Sequence, residues 1–183
     1  YNQLGLPDRV AELATQVAAA ISEPSTLARA ALALVRAEEI DQAIALGGRI
    51  APGTLPENES YQLEMALGQA MLTLDPQRAL ARLEAAYDAH PTLRTPEDEQ
   101  MLLDAYLRAD RTAAARRMVL EMQQRAAKEA LHLPYLIDGA IQWGDHLYGK
   151  GDFRGALDAY ALAIESAKTT TPPAKGLIHD PLW

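Results

Sequence analysis

Cysteine is absent from this 183-residue chain, which excludes disulfides and thiolate metal sites and leaves the redox compartment open. Aromatic residues are scarce, at 5%, so the core must rest on small and aliphatic contacts supplied largely by alanine and leucine. Runs of β-branched residues are short, and the composition is that of an all-α protein. Cations are outnumbered, with 17 Lys and Arg against 25 Asp and Glu. A net charge of -8 disfavours nucleic acid as a partner, because that needs a basic face. No apolar run approaches the length of a membrane span. An initiator methionine and a signal peptide are also lacking, and Tyr1-Asn2-Gln3-Leu4 reads as the tail of a helix in progress. The expectation is a fragment of a longer protein, whose location these residues leave open.

What is present is organised around residues 143–163, WGDHLYGKGDFRGALDAYALA. Ala140, Trp143, Gly144 and Leu147 fall at three- and four-residue steps, one face of a helix. Lys150-Gly151-Asp152 breaks the pattern with a tight turn. Ala156, Tyr160, Ala163 and Ile164 resume it. Gly144 and Ala156 would let the two helices approach closely, with Trp143 and Tyr160 filling the space beside them. Such a hairpin cannot bury its own apolar face and needs neighbours of its kind.

The rest of the chain reads as more helices. Asp8 can cap a first one carrying Val10, Leu13, Ala14, Val17 and Ile21, ending near Ser22 because Pro24 disfavours helix at Glu23. Ser25-Thr26 can cap the next, and a polar break at Glu38-Glu39 leads to another through Ile40, Ala43 and Ile44. A hairpin from Asn58 turns at Asp75-Pro76 and ends before Pro91. Thr95-Pro96-Glu97-Asp98 is a helix start with acidic residues over its first turn. The following helices are expected at about 96–109 and 112–131.

A fixed spacing runs through these elements. Ala43, Ala79 and Ala115 each follow an inter-helix turn at intervals of 36 residues, and Ala156 comes 41 residues later. Twelve residues before them sit Ala31, Leu67, Leu103 and Gly144; seven after sit Ile50, Ala86, Met122 and Ala163. A plain helical bundle gives no reason for such a register.

Trp143-Gly144, Leu147, Ala156 and Tyr160 resemble a tetratricopeptide repeat, which pairs a small residue on its first helix with alanine and then an aromatic on its second. Ala79, Leu83, Ala86 and Pro91 resemble its second half, with Leu67-Gly68 on the partner helix. The repeats at Ala43 and Ala115 keep the alanine and replace the aromatic with Gly47 and Val119. The resemblance implies a right-handed α-solenoid of antiparallel hairpins with about nine helices. Its parts would be a half-repeat at 1–22, repeats at about 26–56, 58–91, 96–131 and 135–168, and an irregular tail at 169–183.

Residues for chemistry do not converge. The histidines at 90, 132, 146 and 179 are scattered, and none has a second histidine three or four residues away. Neighbouring carboxylates such as Glu38-Glu39 and Asp98-Glu99 point in different directions on a helix. Gly149-Lys150-Gly151 is not a phosphate loop, and the serines have no nucleophile-elbow context. No catalytic, cofactor-binding or metal site is expected. One charge feature stands out: residues 108–128 hold six Lys and Arg against Asp110 and Glu121, while the remainder carries -12. This is either a solvated helix face or a docking strip for an acidic partner.

The resemblance implies a non-catalytic scaffold that binds a segment of another protein. Alanine-rich degenerate repeats of this kind also resemble the periplasmic scaffolds of bacterial exopolysaccharide export proteins, which precede an outer-membrane barrel and recruit polymer-modifying enzymes. In the resembled family the first helix of each hairpin lines a concave groove. Carried onto this chain, that face is Arg36, Glu64, Met71, Glu97, Gln100, Asp104, Arg108, Asp138, Asp145 and Tyr148. Five acids against two arginines imply a basic or amide-rich extended partner segment. The half-repeat with Val10, Leu13 and Val17 is expected to be exposed, covered by a second molecule, or packed on by Leu177, Ile178 and Trp183.

Overall fold

The computed structural model describes residues 6–170, apart from the side chains of Leu6, Pro7, Ala18 and Thr170. Among the described residues there are nine α-helices and no strand. They fall into two compact units, one ending at Asp110 and one starting at Arg111. Of the tail expected to be irregular at 169–183, Thr169 and Thr170 instead end the last helix, and residues 171–183, with the packing proposed for Leu177, Ile178 and Trp183, lie outside the described residues.

The first unit holds α1 (Leu6–Ala20), α2 (Pro24–Arg36), α3 (Ile40–Gly47), α4 (Glu57–Met71), α5 (Pro76–Ala89) and α6 (Pro96–Arg108). Helices α2 and α3 pair, α4 and α5 pair, and α4 also packs on α2 and α3. Leu27, Ala31, Leu34, Ala43, Leu63 and Leu67 meet in one buried cluster beneath them. Truncating a side chain such as Leu67 to alanine there would cost about 2–5 kcal/mol, since the rigid surroundings cannot close the cavity.

The second unit holds α7 (Thr112–Ala126), a 3-10 turn at Ala130–His132, α8 (Leu133–Gly149) and α9 (Phe153–Thr170). Helices α8 and α9 form the expected hairpin. A Cβ built on Gly144 would lie 2.5 Å from the Tyr160 ring, so the aromatic occupies the space a larger residue would need. Trp143 and Ala156 are buried beside them.

Every alanine of the 36-residue series is buried: Ala43, Ala79 and Ala115 at 0% and Ala156 at 1% exposure. Ala31, Leu67, Leu103 and Gly144, twelve residues earlier, are buried as well. The backbone carries a second mark of the same register. Glu38, Asp110 and Gly151 have φ of 63°, 57° and 82°, and each lies five residues before its alanine. Three inter-helix turns therefore close through one left-handed residue, a conformation that costs nothing only for glycine.

Several sequence expectations are corrected. Helix α2 is capped by Glu23, whose carboxylate accepts from the Ser25 and Thr26 amides at 3.0 and 2.6 Å, and not by Ser25-Thr26. Pro24 at the first helical position pushes the cap one residue upstream of it. Helix α1 starts at Leu6, so Asp8 lies within its first turn. Helix α7 stops at Ala126 instead of continuing to Leu131, and Pro134 opens α8. The unit boundary falls between α6 and α7. On α1, Val10, Leu13, Val17 and Ile21 are exposed.

Candidate interaction groove

Thr95 and Asp98 start α6 with a reciprocal cap. The Thr95 hydroxyl accepts from the Asp98 amide, and the Asp98 carboxylate accepts from the Thr95 amide at 2.8 Å. The same oxygen, Oδ2, also accepts from the Thr95 hydroxyl at 2.8 Å and the Tyr61 hydroxyl at 2.7 Å. Tyr61 stands on α4, so this carboxylate ties two helices as well as capping one. Burial first, and then the bond to Asp98, push the Tyr61 hydroxyl well above the usual tyrosine range.

With α4 and α6 held this way, a groove of about 350 Å³ opens along them. Met65, Ala66, Leu93 and Met101 supply its apolar surface, and Asn58, Gln62 and Gln69 its amides. Asn58, Gln62, Met65 and Gln69 follow four-, three- and four-residue steps, one stripe of α4. Among the described residues the three amide side chains have no hydrogen-bond partner, and all three are exposed. Among the described residues Asp98 is the one charged residue of the lining, and its Oδ2 takes three donors.

Of the residues expected to line the binding face, three turn elsewhere. Glu64 points to its own hairpin partner, pairing with Arg82 on α5 at 3.1 Å. Met71 is a core residue at 4% exposure. Asp145 accepts from the Tyr160 hydroxyl on α9 at 2.6 Å, again towards the second helix of its hairpin. Glu64 and Met71 depart from the expected face because the stripe of α4 turned away from α5 is the one through Asn58 and Gln62, a partial turn from them. Glu97, Gln100, Asp104 and Arg108 do share a face of α6, where Asp104 pairs with Arg108 at 2.8 Å. Gln100 is half-buried, and among the described residues both polar atoms of its amide lack a partner. Arg36 is exposed in the last turn of α2. Asp138 and Tyr148 are exposed on α8 in the second unit, with Tyr148 edge-on to Phe153 at 5.3 Å.

The groove residues Asn58, Gln62, Gln69 and Met101 were missed. The signal of the three amides was present as a polar stripe of α4 out of phase with Leu63 and Leu67, and it carries no charge to draw attention. Of the basic strip, Arg116 lines a separate cleft of about 420 Å³ between α7 and α9, opposite Asp152 and Asp158. Arg125 lies 3.9 Å from Glu121 on its own helix. That cleft has both signs of charge on its walls and favours no single ligand charge.

Among the described residues no group of three or more His, Asp or Glu is placed to hold a metal ion. Among them, too, no helix is long and apolar enough to cross a membrane. No protein-family model matches the chain, and neither curated proteins nor solved structures gave a match.

Proposed function

We propose that this chain is a non-catalytic helical scaffold that holds a segment of a partner protein along the α4–α6 groove. The observation that carries this reading is the groove itself: an apolar floor edged by the unpartnered amides of α4 and faced by Met101 of α6. Pockets that take ligands share this make-up, apolar lining with a few polar groups to fix orientation. The repeat register supports the reading, because stacked hairpins present their first helices side by side.

The test is selection of random 12-residue peptides displayed on phage against the full chain. Bound peptides should be lost from Gln62→Lys and Met101→Glu proteins whose circular dichroism matches the parent. Peptides that bind these variants undiminished, and are lost instead from Arg116→Ala, would move the working surface to α7.

A further inference from the structure

We infer that the α4–α6 groove takes a lysine side chain of the partner segment, its ammonium on Asp98 Oδ1 and its stem along Met65 and Met101; this rests on the scaffold reading above. Asp98 is 9% exposed, and its two oxygens stand in different surroundings. Oδ2 accepts from the Thr95 amide, the Thr95 hydroxyl and the Tyr61 hydroxyl. Among the described residues Oδ1 accepts from none, and it is accessible from the groove that Asp98 lines. Among them, too, no cation pairs with Asp98. Arg94, four residues earlier, donates to the Tyr87 carbonyl at 2.7 Å and lies 3.7 Å from Asp88. A carboxylate taken largely out of water without a counter-charge is unfavourable, although the α6 N-terminus offsets part of the cost. A cation in the groove supplies that counter-charge.

The wider charge distribution points the same way. Residues 1–110 hold 17 Asp and Glu against 8 Lys and Arg, a net charge of -9, and the rest of the chain carries +1. The negative field that draws in a cation is therefore concentrated on the unit that holds the groove.

Among cations, the single open oxygen selects an ammonium. A guanidinium binds a carboxylate best through two parallel hydrogen bonds, one to each oxygen. Oδ2 already takes three donors, so a guanidinium is left with one contact at Asp98. An ammonium is a point charge with three donors. One fits Oδ1, and the unpartnered amides of Asn58 and Gln62 in the same lining offer carbonyl oxygens to the others. The alkyl stem of lysine matches the apolar remainder, Met65, Ala66, Leu93 and Met101, because such stems lie on apolar surface while their heads stay on polar groups. Thioethers adapt readily to a flexible chain of this kind.

The probe is a nonapeptide selected on the full chain from a library fixed with lysine at its centre, then resynthesised with arginine, acetyl-lysine, norleucine or glutamate there. Parallel libraries are fixed with leucine and with glutamate. The lysine peptide should bind about tenfold tighter than its norleucine and acetyl-lysine forms, and tighter than its arginine form. Its affinity should fall as salt rises. Asp98→Asn, with circular dichroism matching the parent, should erase the difference between lysine and norleucine. If that variant does not fold, the peptide series on the parent chain decides alone. Leucine- or glutamate-centred peptides that bind as tightly and are lost from Gln62→Lys, or an arginine form that matches lysine, would overturn the lysine inference and leave the scaffold reading standing. Spermidine displacing the peptide at equal concentration would overturn it in favour of a free polyamine. Absence of any peptide that is lost from Gln62→Lys would overturn both readings.

Discussion

The Tyr61 hydroxyl of α4 donates to Asp98 Oδ2 of α6 at 2.7 Å, inside the protein, on an oxygen that also caps α6. One carboxylate thereby fixes the start of a helix and its distance from the helix opposite. Tyr61→Phe should lower unfolding free energy by about 1.5–3 kcal/mol, the range for a hydrogen bond to a charged group. Asp98→Ala should cost more, because it also removes the cap and strands the tyrosine hydroxyl. Urea melts of both variants check the order.

The same pair predicts a pH dependence. The folded state holds the Tyr61 hydroxyl above its ordinary value, so the unfolded chain ionises first as pH rises. The contribution is complete below about pH 10, the unfolded tyrosine value, and is lost progressively above it. Parent stability should therefore fall more steeply above that pH than stability of Tyr61→Phe, measured by denaturant midpoint across alkaline buffers.

Two glycines of α8 should answer the same substitution with opposite signs. Gly144→Ala places a methyl 2.5 Å from the Tyr160 ring, whose hydroxyl is anchored on Asp145, and should destabilise by about 1–3 kcal/mol. Gly149→Ala meets nothing within 4 Å and should gain up to about 1 kcal/mol from helix propensity. Thermal melts of the pair read the difference.

Glu38 holds a left-handed conformation at the α2–α3 turn that Gly151 adopts at the α8–α9 turn. Glu38→Gly should therefore leave the fold unchanged and stabilise by roughly 0.5–1 kcal/mol. A neutral or destabilising result would show that the turn is not limited by that backbone strain.

Much of the helical layout was legible because it rests on local chemistry. Asp75-Pro76 and Thr95-Pro96 start α5 and α6 where they were expected, since caps act within one turn. The alanine register was legible because burial at a helix crossing leaves room for little else. Glu23 as a cap was not, since glutamate is outside the favoured set and acts here through a carboxylate reaching two amides. The left-handed turns at Glu38 and Asp110 carry no glycine to announce them. The groove was missed for a matter of phase: Glu64 and Asn58 lie on one helix, and only the packing of α5 shows which of them turns inward. The charges that drew attention on α6 are spent on each other, as in Asp104 with Arg108.

An NMR titration of the isotope-labelled full chain with the library-selected peptide tests the α4–α6 groove most directly. Side-chain amide signals of Asn58, Gln62 and Gln69, with backbone signals of α4 and α6, should shift first and saturate together. Shifts confined to Arg116, Leu120 and the α7–α9 cleft, with those amides unmoved, would contradict it.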